Sequence, residues 1–337
     1  MRVALLAHGQ FPDRAKTAVG VLRYADYDVA AVLDRDTAGT QVADHITGTQ
    51  DAPIVASMAA VDAAVDALII GIAPIGGGFD PSWRPDVRAA LERGADVSAG
   101  LHAFLADDEE FASLAAEHGC ELHDIRRPPD DLGVADGTAR DVDATVVTTV
   151  GTDCSVGKMT ATRELYAAAR DVGLDAGFVA TGQTGILIES DGVPVDRVVA
   201  DFAAGAVEDA VTAAAANHDY VFVEGQASIV HPAYSGVTTS VLHGSAPDHL
   251  VLCHEAGRGS VHGYDTTLPP IESFPARYER LAAPVSDSDV VGGMLNTRHI
   301  DADADAHDAV ADYATAIDAP ATDPVRFGPD AVLEAIR

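Results

Sequence analysis

The residues best equipped for chemistry form one run, Gly151-Thr152-Asp153-Cys154-Ser155-Val156-Gly157-Lys158-Met159-Thr160, between an apolar segment and a helical pattern. In that setting successive backbone N–H groups converge into a nest for phosphate oxygens. The start of the following helix adds its positive end, and the Lys158 ammonium adds a point charge. The chain has 21 basic residues, and only Lys16 and Lys158 are lysines, so a lysine kept in this loop implies a task for its ammonium. The spacing departs from the common phosphate-loop motif. Five residues separate Gly151 from Gly157, one more than usual. Met159 occupies the place of the hydroxyl that normally meets magnesium, and Thr160 comes one position late. The loop is expected to grip phosphates, with weaker provision for a magnesium-bound nucleotide. Cys154 has two readings: a small residue suited to a tight turn, or a helix-start thiol able to carry an acyl group.

Such a loop needs a strand before it and a helix after it. Thr145–Val150 reads as a buried strand, and a helix is expected from about Gly157 to Asp171, closed by Gly173. Further strands are expected at Gly177–Ala180, Tyr220–Val223, Leu250–Cys253 and Val290–Met294, with a helix over Ala203–Ala216 capped by Asp201. Upstream, strands are expected at Val3–Ala7, Val29–Leu33, Ile54–Ala56 and Leu68–Ile72, and helices at Arg84–Arg93 and Glu109–Glu117. Alternation of short apolar runs with helical patterns is the mark of βαβ units around parallel sheets. Arg126-Arg127-Pro128-Pro129-Asp130-Asp131 breaks the periodicity. The fold class is therefore α/β: a Rossmann-like parallel-sheet domain over 1–130, a linker over 131–143, and a P-loop NTPase-like domain over 144–337.

Composition excludes several functions. Hydrophobic residues make up 47% of 337, enough for real cores and too many for a disordered chain. Against 21 basic residues stand 53 acidic ones, 40 of them Asp, for a net charge of −32. An Asp-rich, Lys-poor surface reads as adaptation to high salt, where the Debye length falls to ~3 Å and self-repulsion is screened. There is no basic patch for nucleic acid or an anionic membrane. Cys120, Cys154 and Cys253 are odd in number and lack metal-type spacing, which predicts reduced thiols and no metal site. No apolar stretch approaches membrane-spanning length, and Met1–Gly9 runs directly into a strand. A cytoplasmic protein is expected.

The long loop, with its Gly-Thr-Asp start and Val-Gly-Lys end, resembles that of dethiobiotin synthetase-type P-loop proteins. Val223-Glu224-Gly225-Gln226-Ala227 supports the likeness, and by similarity Glu224 would face phosphates and metal. Other stretches point to a narrower family: Thr181-Gly182-Gln183-Thr184-Gly185, Val199–Ala206, Gly225–Gly236, Leu252–Arg258, Ile72–Gly77 and Gly100-Leu101-His102. Together they resemble, nearly end to end, a two-domain family long catalogued as a domain of unknown function, whose characterised branch is D-glutamate N-acetyltransferase. The resemblance implies acetyl transfer from acetyl-CoA to the amino group of an acidic D-amino acid, with Gln183 and the loop residues 151–160 holding the co-substrate. Glu224, His231 and His254 are then candidate bases, and Arg258 a candidate carboxylate clamp. Each His has the alternative of a hydrogen-bonded loop histidine, and Arg258 that of a surface ion pair. His243, His249 and His262 are expected to be structural. An ATP- and Mg²⁺-dependent ligase or kinase using Thr160 and Glu224, and a non-catalytic nucleotide-binding protein, are the alternatives. A homodimer is expected.

Overall fold

Val, Ile, Leu and Ala runs form the strands because side chains buried on both faces of a sheet need no polar alternation. The computed structural model describes residues 1–337 except Ile75, so that one position of the Ile72–Gly77 motif lies outside the described residues. The chain divides into two units, Met1–Pro128 with Gln183–Ser190, and Pro129–Gly182 with Asp191–Arg337.

In the first unit β1 (Arg2–Leu6), β2 (Asp28–Leu33), β3 (Ile54–Val55), β4 (Ala67–Ile70), β5 (Asp96–Ala99) and β6 (Leu122–Asp124) pair in parallel in the order β3-β2-β1-β4-β5-β6. This is a Rossmann-like sheet, with its strand order reversing between β1 and β4. Val3, Leu5, Leu68 and Ile70 are completely buried and anchor its core. Helices Lys16–Tyr24, Arg84–Glu92 and Glu109–His118 complete the crossovers. Asp108 caps the last of these by accepting the N–H groups of Glu110 and Phe111.

In the second unit β7 (Thr145–Gly151), β8 (Ala176–Val179), β9 (Tyr220–Val223), β10 (His249–Glu255), β11 (Asp289–Asn296) and β12 (Ala321–Thr322) form a parallel sheet in the order β12-β11-β10-β7-β9-β8. Successive residues feed opposite faces. Val146, Val221 and Val223 pack with Ala203, Val207 and Val211 on one side. Val147, Phe222, Val251 and Cys253 pack with Ala161, Leu165 and Leu333 on the other. Strand β7 is central, and the chain turns to opposite sides of it, which places the residues after its carboxyl end at a switch point.

Three expectations need correction. Asp201 does not cap its helix, which spans Ala200–Ala215 and has Val199 at the N-cap; Asp201 sits in the first turn and serves the helix dipole instead. The stretch 131–143 is not a free connection: it contains a 3-10 turn, Thr138–Asp141, whose Ala139 is buried, and Leu132 and Val142 pack on the second unit's core. Nor does the P-loop unit run unbroken from 144 to 337. Helix Gln183–Glu189 belongs to the first unit, with Leu187 in that core and the Thr184 hydroxyl 2.9 Å from that of Thr17.

Candidate functional site

The loop leaving β7 is built to hold an anion. Ser155 and Gly157 both adopt left-handed backbone, at φ +58° and +104°, and such turns alternate with right-handed ones to aim N–H groups inward. Lys158 opens helix Lys158–Asp171 and its ammonium donates to the carbonyl of Asp153 at 2.9 Å, so it arches over the loop. The helix's first turn is tied down by Thr162, whose hydroxyl donates to Lys158 O at 2.8 Å and meets the Thr149 hydroxyl at 2.9 Å. Met159 is the second residue of this helix, so the position after the lysine offers no hydroxyl.

The strand beside β7 closes in from one side. A Cβ on Gly225 would stand 1.7 Å from the carbonyl oxygen of Thr149 and 3.2 Å from Lys158 Cδ, so only glycine allows β9's continuation to pass the loop. Its N–H donates to the Thr149 hydroxyl at 2.9 Å. Glu224 is buried, and its carboxylate accepts from the Thr181 and Gly182 N–H groups, each at 3.2 Å, and from Gln226 Nε2 at 3.2 Å.

On the other side, β10 delivers His254, Glu255 and Arg258. His254 Nδ1 lies 2.7 Å from the Thr152 hydroxyl, and its ring stacks on Tyr313. Burial pushes its pKa down to about 4, so it is neutral near pH 7. Among the described residues no hydrogen bond is made by its Nε2. Glu255, also buried, binds Arg258 and the half-exposed Arg298, whose Nη2 is 2.7 Å from Oε1. Arg258 reaches onward to within 3.6 Å of Asp153.

His231 is committed at both nitrogens. Nε2 donates to His262 O at 3.1 Å, and Nδ1 accepts from Ala233 N at 3.2 Å. That arrangement ties two loops together and leaves no lone pair for proton abstraction, so His231 suits positioning better than the role of base. The ligand atoms of Asp153, Cys154 and His231 fall within 4.8 Å of one another. A metal ion would have to compete there with existing bonds, since Asp153 already accepts from the N–H groups of Cys154 and His262, each at 2.7 Å. His262 meets the site through its backbone N–H and C=O.

Glu224, His231, His254 and Arg258 thus all belong to loops at one end of the second sheet, next to residues 151–160. Gln183 directly follows Gly182, whose N–H meets Glu224, and opens the helix of the first unit, where its Oε1 accepts from Arg126, which also donates to Gly100 O at 2.7 Å. Sequence reasoning missed Tyr278, whose hydroxyl donates to Gly151 O at 2.6 Å, and Arg298 on Glu255. Neither carries a local signal. At the first unit's own switch point, His8 Nε2 is 3.0 Å from Asp86, which also takes Met58 N–H and Arg35. Burial opposes its ionisation, but those partners hold Asp86 below the usual carboxylate range. Among the described residues no helix is long and apolar enough to cross a membrane.

The fold and the site together define a two-unit α/β protein in which a Rossmann-like unit accompanies a phosphate-loop unit. Residues 133–333 match the family model described as the DUF1611 C-terminal P-loop domain of unknown function, and 35–128 match the Rossmann-like N-terminal domain of the same family. The chain belongs to the DUF1611 family. It is 39% identical over 275 residues to a D-glutamate N-acetyltransferase of Tritonibacter scottomollicae, covering 80% of each chain. It is 37% identical over 268 residues to a D-glutamate N-acetyltransferase of a Pseudoalteromonas species, covering 79% of each. The crystal structure of a DUF1611 family protein from Anabaena variabilis superposes with a TM-score of 0.94 at 38% identity, over 99% of this chain and 98% of that one.

Proposed function

We propose that the protein transfers the acetyl group of acetyl-CoA to the amino group of D-glutamate. The observation that carries this reading is the 37–39% identity, over four fifths of the chain, to two relatives bearing that activity in their names. The site is chemically compatible. CoA is a polyphosphate, and a loop with Lys158 and inward N–H groups but Met159 at the magnesium position suits gripping phosphates without cleaving them.

In this reading His254 is the base. With Nδ1–H donating to the Thr152 hydroxyl, Nε2 offers its lone pair, and a pKa of about 4 keeps the ring unprotonated at neutral pH. Nε2 takes a proton from the substrate ammonium. The freed amine attacks the thioester carbonyl carbon, forming C–N, its nitrogen releases a second proton to solvent, and the tetrahedral intermediate expels the CoA thiolate as C–S breaks. The thiolate is then protonated by the imidazolium. The low basicity of His254 makes it a weak acceptor in the resting protein, and a substrate carboxylate held nearby would raise it. Arg258 and Arg298, both on Glu255, supply the cationic side for the substrate's carboxylates. Binding both substrates in one place supplies proximity, so a covalent stop at Cys154 is not required.

The test is an assay of the full chain in molar salt with acetyl-CoA alone or ATP-Mg²⁺ alone, each against D- and L-amino acids. Release of free CoA with N-acetyl-D-glutamate formation is expected without ATP. Release of ADP or phosphate with no CoA would refute the reading in favour of a ligase or kinase. An acetylated Cys154 peptide caught by mass spectrometry would replace direct transfer by a two-step route.

A further inference from the structure

Tyr234 and Tyr264 are 47% and 43% exposed, and among the described residues no other Phe, Tyr or Trp of this aromatic-poor chain stands so far into solvent. An exposed tyrosine alone signifies little, but both of these rest on the same buried residue. Tyr234 stacks on His231 with centroids 4.7 Å apart and planes 19° apart, and Tyr264 meets the same ring edge-on at 5.3 Å and 88°. His231 in turn places a ring nitrogen within 4.8 Å of the Asp153 carboxylate and the Cys154 thiol, inside the phosphate loop.

Both tyrosines are also held from behind. Tyr234 directly precedes helix Ser235–Ser245, and its carbonyl accepts from Thr238 N. Tyr264 sits in a loop closed by the Ser260–Thr267 bridge, and His262 in that loop donates its N–H to Asp153. His231, by donating to His262 O, joins the two tyrosine-bearing loops to each other. Rings fixed in this way keep an outward aromatic surface at little entropic cost, beside a cradle for phosphate.

We propose that Tyr234 and Tyr264 form a stacking edge for the purine base of a phosphate-bearing ligand seated in the loop Gly151–Thr160. With the acetyl-CoA reading above, on which this rests for the ligand's name, the base is the adenine of CoA; adenine of a nucleotide has the same chemistry. The base stacks against the tyrosine pair while its diphosphate lies on the loop amides and Lys158. This separates affinity into a base-independent part, from the loop, and a base-dependent part, from the tyrosines.

The experiment is calorimetry on the full chain in molar salt with CoA, ATP and inorganic pyrophosphate, using the wild type, the Tyr234→Ala/Tyr264→Ala variant and the Tyr234→Phe/Tyr264→Phe variant. The alanine variant is expected to bind the base-bearing ligand ~10–100-fold more weakly, the range for losing one or two stacking partners. Pyrophosphate affinity should change by less than about twofold, and the phenylalanine variant should retain the tight binding, since stacking needs the ring and not the hydroxyl. Equal losses for pyrophosphate would show a merely structural role and overturn the proposal. So would unchanged binding in the alanine variant, or a wild type that binds neither CoA nor ATP more tightly than pyrophosphate. A base-dependent gain for ATP with no binding of CoA would leave the stacking edge standing and defeat the acetyl-CoA reading alone.

Discussion

The hydroxyl of Tyr278 donates to the carbonyl oxygen of Gly151 across 2.6 Å, linking helix Phe274–Ala282 to the last residue of the strand that launches the phosphate loop. The same hydroxyl accepts from Ile229 N at 3.4 Å, on the segment that leads to His231. Burial pushes the phenol up to about 12, so it remains a donor at every working pH. Tyr278→Phe keeps the ring and strands a buried carbonyl, and is expected to cost ~1–3 kcal/mol. Denaturant titration checks this, and an unchanged midpoint would show that the bond does not matter.

Two glycines in adjoining segments should respond in opposite directions. Gly225→Ala forces a methyl against Thr149 O and should destabilise by ~1–3 kcal/mol or more. Gly236, in the first turn of helix Ser235–Ser245, has nothing within 4 Å of where a methyl would stand, and Gly236→Ala should stabilise by ~0.5–1 kcal/mol. Thermal melts of the two variants side by side decide the matter.

Lys158→Ala removes the ammonium that arches over the loop. Affinity for CoA is expected to fall ~10–100-fold, the range for a hydrogen bond to a charged group. Circular dichroism must first show the variant folded; equal affinity in a folded variant would place the phosphates elsewhere.

His254 makes a pH-dependent contribution with a definite sign. Its folded pKa, about 4, lies below the ordinary 6.5, so between these values the unfolded chain binds the extra proton. The folded state is thus fully competitive above pH 6.5 and loses stability as pH falls toward 4, by on the order of 3 kcal/mol from this group. Carboxylates titrate in the same range, so the comparison is with His254→Gln. The stability of the wild type relative to that variant should decline on acidification, and a pH-independent difference would contradict it.

Fifty-three carboxylates on one chain repel each other over distances that salt controls. Moving from ~2 M to ~10 mM salt lengthens the Debye screening more than tenfold, and the protein is expected to lose its far-ultraviolet circular dichroism signal at the low end. Identical spectra would show that the surface charge is tolerated without screening.

Much of the frame was legible in the residues alone. Buried-type runs such as Thr145–Val150 and Tyr220–Val223 lie within or match the observed strands, and Lys158–Asp171 follows its glycine as expected, because strand, turn and helix signals act over a few neighbouring residues. The phosphate loop was legible for the same reason: its chemistry is carried by consecutive backbone N–H groups and one lysine. What each side chain meets across the fold was not. The motif around Gln183 reads as ligand-binding, but nothing in it shows that the helix it opens packs in the first unit, where Leu187 and Thr184 find their partners. His231 reads as a base, but its Nε2–H is committed to His262 O, 31 residues on, and its Nδ1 lone pair to the Ala233 N–H. Tyr278 and Gly151 are 127 residues apart and Arg298 reaches Glu255 from another strand's end, pairings with no periodicity to announce them. Local backbone chemistry therefore determined the strand, loop and helix around Gly151–Thr160, and the packing of distant loops around β7 decided which side chains surround that loop.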